Sequence, residues 1–257
     1  MAQDIRMLEE LIFNSVSARQ TVLLDGWVIR LNGGYNYRSN CVWPLSRGFG
    51  PETAEKIHMC EKLFDINGLP AVFRITQSLD GRLAETLEKM GYEKIKTVSV
   101  MTLTVPKGGA KLPDHIELSE DTNDEWLNES TALAGLEDER LIRLHRGGLS
   151  SLAVRHAFAG ARVDGQIIGC GYGTVERGCV GIFGVSVAPE YRRRGVGGAI
   201  CRAIIAYGAE NGADTAYLMV HSRNVNAIAL YGHMGFQKAY EYCFYRRPCS
   251  DSPIFDA

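Results

Sequence analysis

Hydrophobic positions along this chain change period repeatedly, and each change marks the edge of an element. Ile5, Leu8, Ile12 and Val16 fall on one face of a helix predicted over Asp4 to Val16. Thr21 to Leu31 is rich in β-formers, with the turn pair Asp25-Gly26 inside it. Cys41 to Leu45 reads as a short strand. Pro51 to Asn67 reads as a helix, with proline near its start and Asn67-Gly68 at its end. Strand Pro70 to Thr76, a helix from Leu79 to Met90 stopped by Gly91, and a long strand from Glu93 to Val105 complete the first part.

VPKGGAKLPD, residues 105 to 114, is poor in apolar residues and rich in proline, glycine and lysine, so it is the expected linker. Beyond it the pattern runs strand, helix and then a meander over Leu152 to Val163, Gln166 to Glu176 and Cys179 to Ala188. Asp164-Gly165 and Arg177-Gly178 are the turns of that meander. A helix Gly195 to Asn211, strand Thr215 to His221, helix Asn224 to Met234 and strand Phe236 to Arg246 follow. The two parts share a register. Asn67-Gly68 falls on Asn211-Gly212 and Met90-Gly91-Tyr92 on Met234-Gly235-Phe236, each an offset of 144 positions. The expected organisation is a first half over residues 1–105, a linker over 106–114 and a second half over 115–257, two copies of one α/β unit.

Composition narrows the function classes. The 257 residues are 46% hydrophobic and 23% charged with a formal net charge of -2, ordinary for a globular protein and without the basic excess of a nucleic-acid binder. MAQDIRMLEE has no basic segment ahead of an apolar core, and the longest nearly apolar stretch, Cys179 to Pro189, is too short to span a bilayer, so a cytoplasmic location is expected. Seven cysteines without a C-x-x-C pair and six scattered histidines suggest free thiols and no metal.

The most informative stretch is VSVAPEYRRRGVGGAI, residues 185 to 200. A β-rich run leads into Arg192, Arg193, Arg194, Gly195, Val196, Gly197 and Gly198, and a helix follows. Free amides at a helix start and the helix dipole attract an anion, and the arginines add charged donors, so this is a pyrophosphate cradle. It has neither the G-K-[ST] of a Walker loop nor G-x-G-x-x-G spacing. A solvated basic turn is the plain alternative. Asn224 sits at the next strand-to-helix junction, where its side chain can bond an amide-rich ligand. Tyr231, two turns on, carries a hydroxyl able to protonate a leaving thiolate. The alternative for Tyr231 is packing between helix and sheet.

Arg192-x-x-Gly195-x-Gly197 followed by Asn224-x-x-Ala227-x-x-Leu230-Tyr231-x-x-x-Gly235-Phe236 resembles the GNAT superfamily of N-acetyltransferases, over residues 116 to 246. WVIRLNGGYNYRSNCVWPL resembles a bacterial group with two fused GNAT-like halves. The resemblance implies two halves, each a mixed, mostly antiparallel twisted sheet flanked by helices, with acetyl-CoA as co-substrate and no metal. It implies that Val185, Ser186 and Val187 run beside the pantetheine arm, that the amides of Arg193 to Gly198 hold the pyrophosphate, that Asn224 bonds the arm and that Tyr231 is the general acid. It also implies an oxyanion role for the Val187 amide.

One departure concerns the base. The family often carries a glutamate where this chain has Met219. His221, Glu176 or a water chain are the remaining candidates. By the same offset, Gly48 to Thr53 replace the cradle in the first half, with Pro51 lacking an amide and Glu52 adding negative charge. Asp80 stands for Asn224 and Leu87 for Tyr231, so the first half is expected to hold no CoA. Its segment GGYNYRSN, with Tyr35, Tyr37, Arg38 and Asn40, is either a wall of the acceptor pocket that binds a carboxylate or a structural turn. The expected activity is acetyl transfer to a primary amine of a small molecule such as an amino acid, aminated metabolite or antibiotic. A protein N-terminus or lysine as acceptor, and an acyl-CoA sensor without turnover, are the alternatives. No nucleic-acid or membrane partner is expected.

Overall fold

The computed structural model describes residues 4–45, 52–106 and 115–248. The chain starts with α1 (Ile5–Asn14), β1 (Gln20–Leu24), β2 (Trp27–Leu31), β3 (Val42–Pro44), α2 (Thr53–Ile66), β4 (Val72–Thr76), α3 (Gln77–Lys89) and β5 (Glu93–Thr104). It continues with β6 (Ile116–Ser119), α4 (Asp124–Leu133), α5 (Glu139–Leu149), β7 (Arg155–Val163), β8 (Gln166–Glu176) and β9 (Cys179–Val187). The last elements are α6 (Val196–Glu210), β10 (Thr215–His221), α7 (Val225–His233) and β11 (Gln237–Arg246). This is a mixed α/β fold. Among the recorded strand pairs, β3 with β4 and β9 with β10 are parallel, and the others are antiparallel.

The chain divides into two compact units, Met1–Ser17 with Val100–Tyr240 and Ala18–Ser99 with Glu241–Ala257. The first contains the strand order β5-β10-β9-β8-β7-β6, and the second β1-β2-β3-β4-β11-β5. Neither unit is a contiguous stretch, because β5 and β11 each pass from one unit to the other. Thus β11 lies antiparallel to β4, with Tyr242 opposite Thr76 and Arg246 opposite Val72. In the other unit the Val105 amide, just past β5, donates to the Asp214 carbonyl at 2.7 Å. The expected linker lies almost wholly within residues 107–114, outside the described residues.

Turn chemistry explains the hairpins. Asp25 and Gly26, Asp164 and Gly165, and Arg177 and Gly178 all adopt positive φ, as two-residue turns between twisted strands require. Where one helix was expected before the meander, two are found. Gly135 at φ 68 ends α4, and the Asp138 side chain caps the Leu141 amide to start α5. Beyond that, Ile66 and Glu210, Lys89 and His233, and Glu93 and Gln237 are matching element ends, each 144 positions apart.

In the larger unit α6 packs on a sheet face made of small residues. A Cβ at Gly171 would stand 2.9 Å from Ile200, and one at Gly173 2.4 Å from Ile204. The strand glycines therefore set how closely the helix approaches. Ile200, Ile204, Ala157, Ala159, Val180 and Ala216 form the core between them. On the opposite face Trp126 of α4 packs against Phe158 and donates its indole N–H to the Ala159 carbonyl at 2.9 Å. Among the described residues no helix is long and apolar enough to cross a membrane, and no cluster of His, Cys, Asp or Glu is placed to hold a metal.

Candidate active site

The site begins where two parallel strands part. β9 and β10 pair from Cys179 opposite Thr215 to Ile182 opposite Leu218, and the pairing stops there. β9 nevertheless runs on to Val187 and β10 to His221. Beyond Ile182, β9 keeps only its β8 neighbour, with Ser186 opposite Cys170 and Val187 opposite Gly169. The register slips between Cys170 and Tyr172, so Gly184 and Val185 together face Gly171. Gly184 has φ 60, the left-handed conformation that a bulge of this kind needs. Its position beside Tyr172, whose ring stacks on Phe183 at 5.2 Å, leaves little room for a side chain.

Backbone direction then follows. The Ala188 amide donates to the Ile168 carbonyl of β8 at 2.9 Å. Strand alternation turns the Val187 amide to the opposite edge, away from β8, and Val185 has the same parity. The Val187 carbonyl is engaged, because Arg192 Nε donates to it at 2.9 Å. An amide donor without a carbonyl competitor is the arrangement that polarises an acceptor oxygen.

After β9 a short 3-10 turn over Pro189–Tyr191 leads to Arg193 at φ 62 and Gly195 at φ 83. Gly195 is the N-cap of α6, and no side chain caps this helix start. Two left-handed residues, Arg193 and Gly195, ahead of a fifteen-residue helix with a free N-terminus make a turn of amides suited to an anion. A Cβ built on Gly197 would meet Val185, Val187 and Leu230 at 3.7 to 3.8 Å. The end of β9, the start of α6 and the middle of α7 therefore converge on one place.

The arginines take different roles from one another. Arg192 pins the end of β9, Arg193 Nη1 reaches Asn226 Oδ1 of α7 at 3.4 Å, and the Arg194 guanidinium lies 5.4 Å from the Tyr191 ring. Arg193 and Arg194 are exposed, so their charge remains accessible beside the nest. Gly198 lies 3.3 Å from Arg202 Nη1, measured from a built Cβ. Val196 is buried in the α6 core rather than directed at the nest.

Asn224 is the N-cap of α7: its Oδ1 accepts the Ala227 amide at 3.1 Å. Asn224 is exposed, and its carboxamide N–H groups make no hydrogen bond among the described residues. Tyr231 is half-buried on α7, with its ring edge-on to Phe236 at 6.0 Å. Burial, with a smaller contribution from Cys201, pushes its hydroxyl well above the usual phenol range. It therefore carries its proton throughout the neutral range. Among the described residues that hydroxyl has no hydrogen-bond partner.

The base candidates separate. Glu176 pairs with Cys179 at the far end of the β8–β9 hairpin, and its carboxylate accepts from Asn14 Nδ2 at 3.0 and 3.1 Å. At a strand rise of about 3.3 Å per residue, it lies roughly 25 Å from Val187. His221 Nδ1 accepts the Arg223 amide at 3.1 Å, which leaves the ring proton on Nε2 and the ring without a free basic nitrogen. Met219 is the first β10 residue beyond the last pair with β9. The bulge glycine Gly184 and its neighbour Tyr172 went unassigned in the sequence, although an isolated glycine in a strand pattern is the signal for a bulge. The segment matched to the cradle in the first half, Gly48 to Pro51, lies outside the described residues.

Known proteins resemble this chain in sequence and in fold. The chain is 26% identical over 246 residues to the uncharacterized N-acetyltransferase YobR of Bacillus subtilis, covering 93% of this chain and 97% of that protein. A GCN5-related N-acetyltransferase from Kribbella flavida superposes with a TM-score of 0.67 at 17% identity, covering 97% and 96% of the two chains. A tandem GNAT protein from the clavulanic acid biosynthesis pathway gives 0.64 at 18% identity, covering 98% and 90%. The family described as "Probable histone acetyltransferase Rv0428c C-terminal" matches residues 2–245, so the chain belongs to that family and is an acetyltransferase of the GNAT type.

Proposed function

We propose that this chain transfers an acetyl group from acetyl-CoA to the primary amine of a small molecule, at one site in the second of two GNAT-like halves. The observation that carries the reading is the parting of β9 and β10 beside an uncapped helix start. When bound, acetyl-CoA supplies an activated thioester. The nest from Arg193 to Gly198 binds the pyrophosphate, with Arg193 and Arg194 adding charge at its rim. The free edge of Val185, Ser186 and Val187 aligns the pantetheine arm as an added strand would. The carboxamide N–H of Asn224 donates to that arm. Arg192 acts indirectly, by fixing the carbonyl of Val187 and leaving its amide for the thioester oxygen.

A neutral amine attacks in the cleft without a covalent enzyme intermediate. The six described cysteines are all buried, and burial raises the thiol pKa of Cys170 and Cys201 to about 12, which removes them as nucleophiles. Tyr231 delivers its proton to the departing thiolate. The amine proton leaves to solvent, because Met219, His221 and Glu176 provide no base. The acceptor is then an amine with an appreciable neutral fraction at working pH. The first half, residues 1–105, serves as a degenerate copy. The offset of 144 positions and the replacement of Asn224 by Asp80 support that assignment; Asp80 interrupts α3 with φ -123 and accepts the Thr76 amide.

Calorimetric titration with acetyl-CoA, followed by thiol release against a panel of amino acids, aminated metabolites and amine antibiotics, tests the proposal. Binding with turnover on one acceptor supports it. Binding without thiol release on any amine, peptide N-termini included, favours the sensor. Absence of binding sinks the CoA assignment.

A further inference from the structure

The acceptor has one side of the sheet to come from. Ile200 of α6 and Ala227, Ile228 and Tyr231 of α7 share a core with Val185 and Val187, so the two helices cover the first face of β9. The other face carries Phe183, stacked on Tyr172 of β8, and Ser186, paired with Cys170. Residues directly opposite in an antiparallel pair point to the same side, and Cys170 packs with Phe158 under α4, so Ser186 belongs to this second face. An amine that attacks a thioester lying along the free edge of β9 approaches across it.

The helix over that face is α4, which lies on β8 and reaches β9. Its Trp126 and Leu127, with the partly buried Leu133, pack against Phe158 and Cys170. Glu129 stands three residues after Trp126 and four before Leu133, so helical period keeps it beside the stripe that meets the sheet. It is half-buried there, whereas Asp124 and Glu125 of the same helix are exposed. Its charge is felt at Cys170: burial first, and Glu129 second, push that thiol up to about 12. Cys170 is the β8 partner of Ser186, in the middle of the β9 segment that runs beside the pantetheine arm.

The other acids of α4 have their cations. Asp124 pairs with Arg146 at 2.6 Å, and Glu125 pairs with Arg162 at 2.7 Å. Glu129 makes no hydrogen bond and no ion pair among the described residues. A half-buried carboxylate without a cation costs stability, because it has lost part of its water and gained nothing in exchange. A cation brought by the substrate restores the pairing, and beside an apolar cluster that pairing is stronger than in bulk water. The amine that attacks is neutral, so the cation that Glu129 holds is a second group on the same acceptor.

Resting on the acetyl-transfer reading, we propose that the acceptor is a diamine: one amine, neutral, takes the acetyl group while Glu129 holds the other as its ammonium ion. The acyl carbon–sulfur bond breaks and a carbon–nitrogen bond forms at the first amine. That amine loses a proton to solvent, and Tyr231 protonates the departing thiolate and regains its proton from water. Acetyl-CoA binding to the full chain is measured first by calorimetry; its absence overturns the acetyl-transfer reading and this proposal with it. With binding established, thiol release is followed for straight-chain diamines, diaminobutane among them, and for the monoamines of equal length. A diamine is expected to exceed its monoamine in kcat/KM by at least about tenfold. Glu129→Gln should raise the KM for that diamine at least about tenfold and leave its kcat within about threefold, with acetyl-CoA affinity and monoamine kinetics within about twofold. Glu129→Asp, which keeps the charge, should recover part of that loss. If the glutamine variant melts below the wild type, the wild-type comparison of diamine with monoamine decides alone. No diamine preferred over its monoamine, or an unchanged diamine KM in Glu129→Gln, overturns this proposal and leaves the CoA assignment standing. A kcat loss shared by diamine and monoamine also overturns it, and makes Glu129 a base.

Discussion

Replacing Tyr231 with phenylalanine separates chemistry from structure more cleanly than any other single change. The hydroxyl has no protein partner among the described residues, so removing it breaks no internal hydrogen bond. The ring stays against Phe236 and the α6 core. Stability should therefore change by no more than about 0.5 kcal/mol. Acetyl-CoA affinity should stay within about twofold, because the nest and the β9 edge are untouched. If the hydroxyl protonates the leaving thiolate, kcat should fall about a hundredfold or more, the usual weight of a positioned general acid. Burial holds the proton on Tyr231 above the ordinary phenol range, so the wild-type kcat should show no falling limb from this group below about pH 10. Thiol release with a chromogenic disulfide, on matched preparations of known melting temperature, measures all of this. A variant with wild-type melting and kcat within twofold would remove Tyr231 from the mechanism. A variant that loses kcat and CoA affinity together would recast it as a packing residue of the binding site.

Gly195→Pro should weaken CoA binding at least a hundredfold, because proline cannot adopt φ 83, whereas Gly195→Ala has open space for its Cβ and should cost less than tenfold by calorimetry. Gly173→Ala drives a Cβ to 2.4 Å from Ile204 and should lose about 1–3 kcal/mol in denaturant melts, while Gly160→Ala, with its nearest neighbour at 3.6 Å, should lose far less. Burial lowers the His145 pKa to about 4, so the unfolded chain binds the proton first. Stability should therefore decline as pH falls from about 6.5 towards 4, and His145→Gln should flatten that slope in thermal melts.

Element positions were legible in the sequence wherever hydrophobic period and turn chemistry agreed. Asp164-Gly165 and Arg177-Gly178 marked the meander because only such pairs tolerate the positive φ that a tight hairpin needs. Gly195 marked the nest for a related reason: at the start of α6 it holds φ 83, which a residue without a Cβ adopts freely. Strand partnership was not legible. The alternation in β5 and β11 says that both are half-buried, but a hydrogen-bonding edge leaves no trace in side-chain pattern. That β11 lies on β4, and Val105 beside Asp214, is therefore information from the fold alone.

The same distinction explains the base. From sequence, His221 and Glu176 are equivalent candidates, since both are titratable and near the cleft in number. In the fold one ring nitrogen of His221 is occupied by the Arg223 amide, and Glu176 is carried to the other end of its strand. Titratable character is a property of a residue, but basicity towards a substrate is a property of its position.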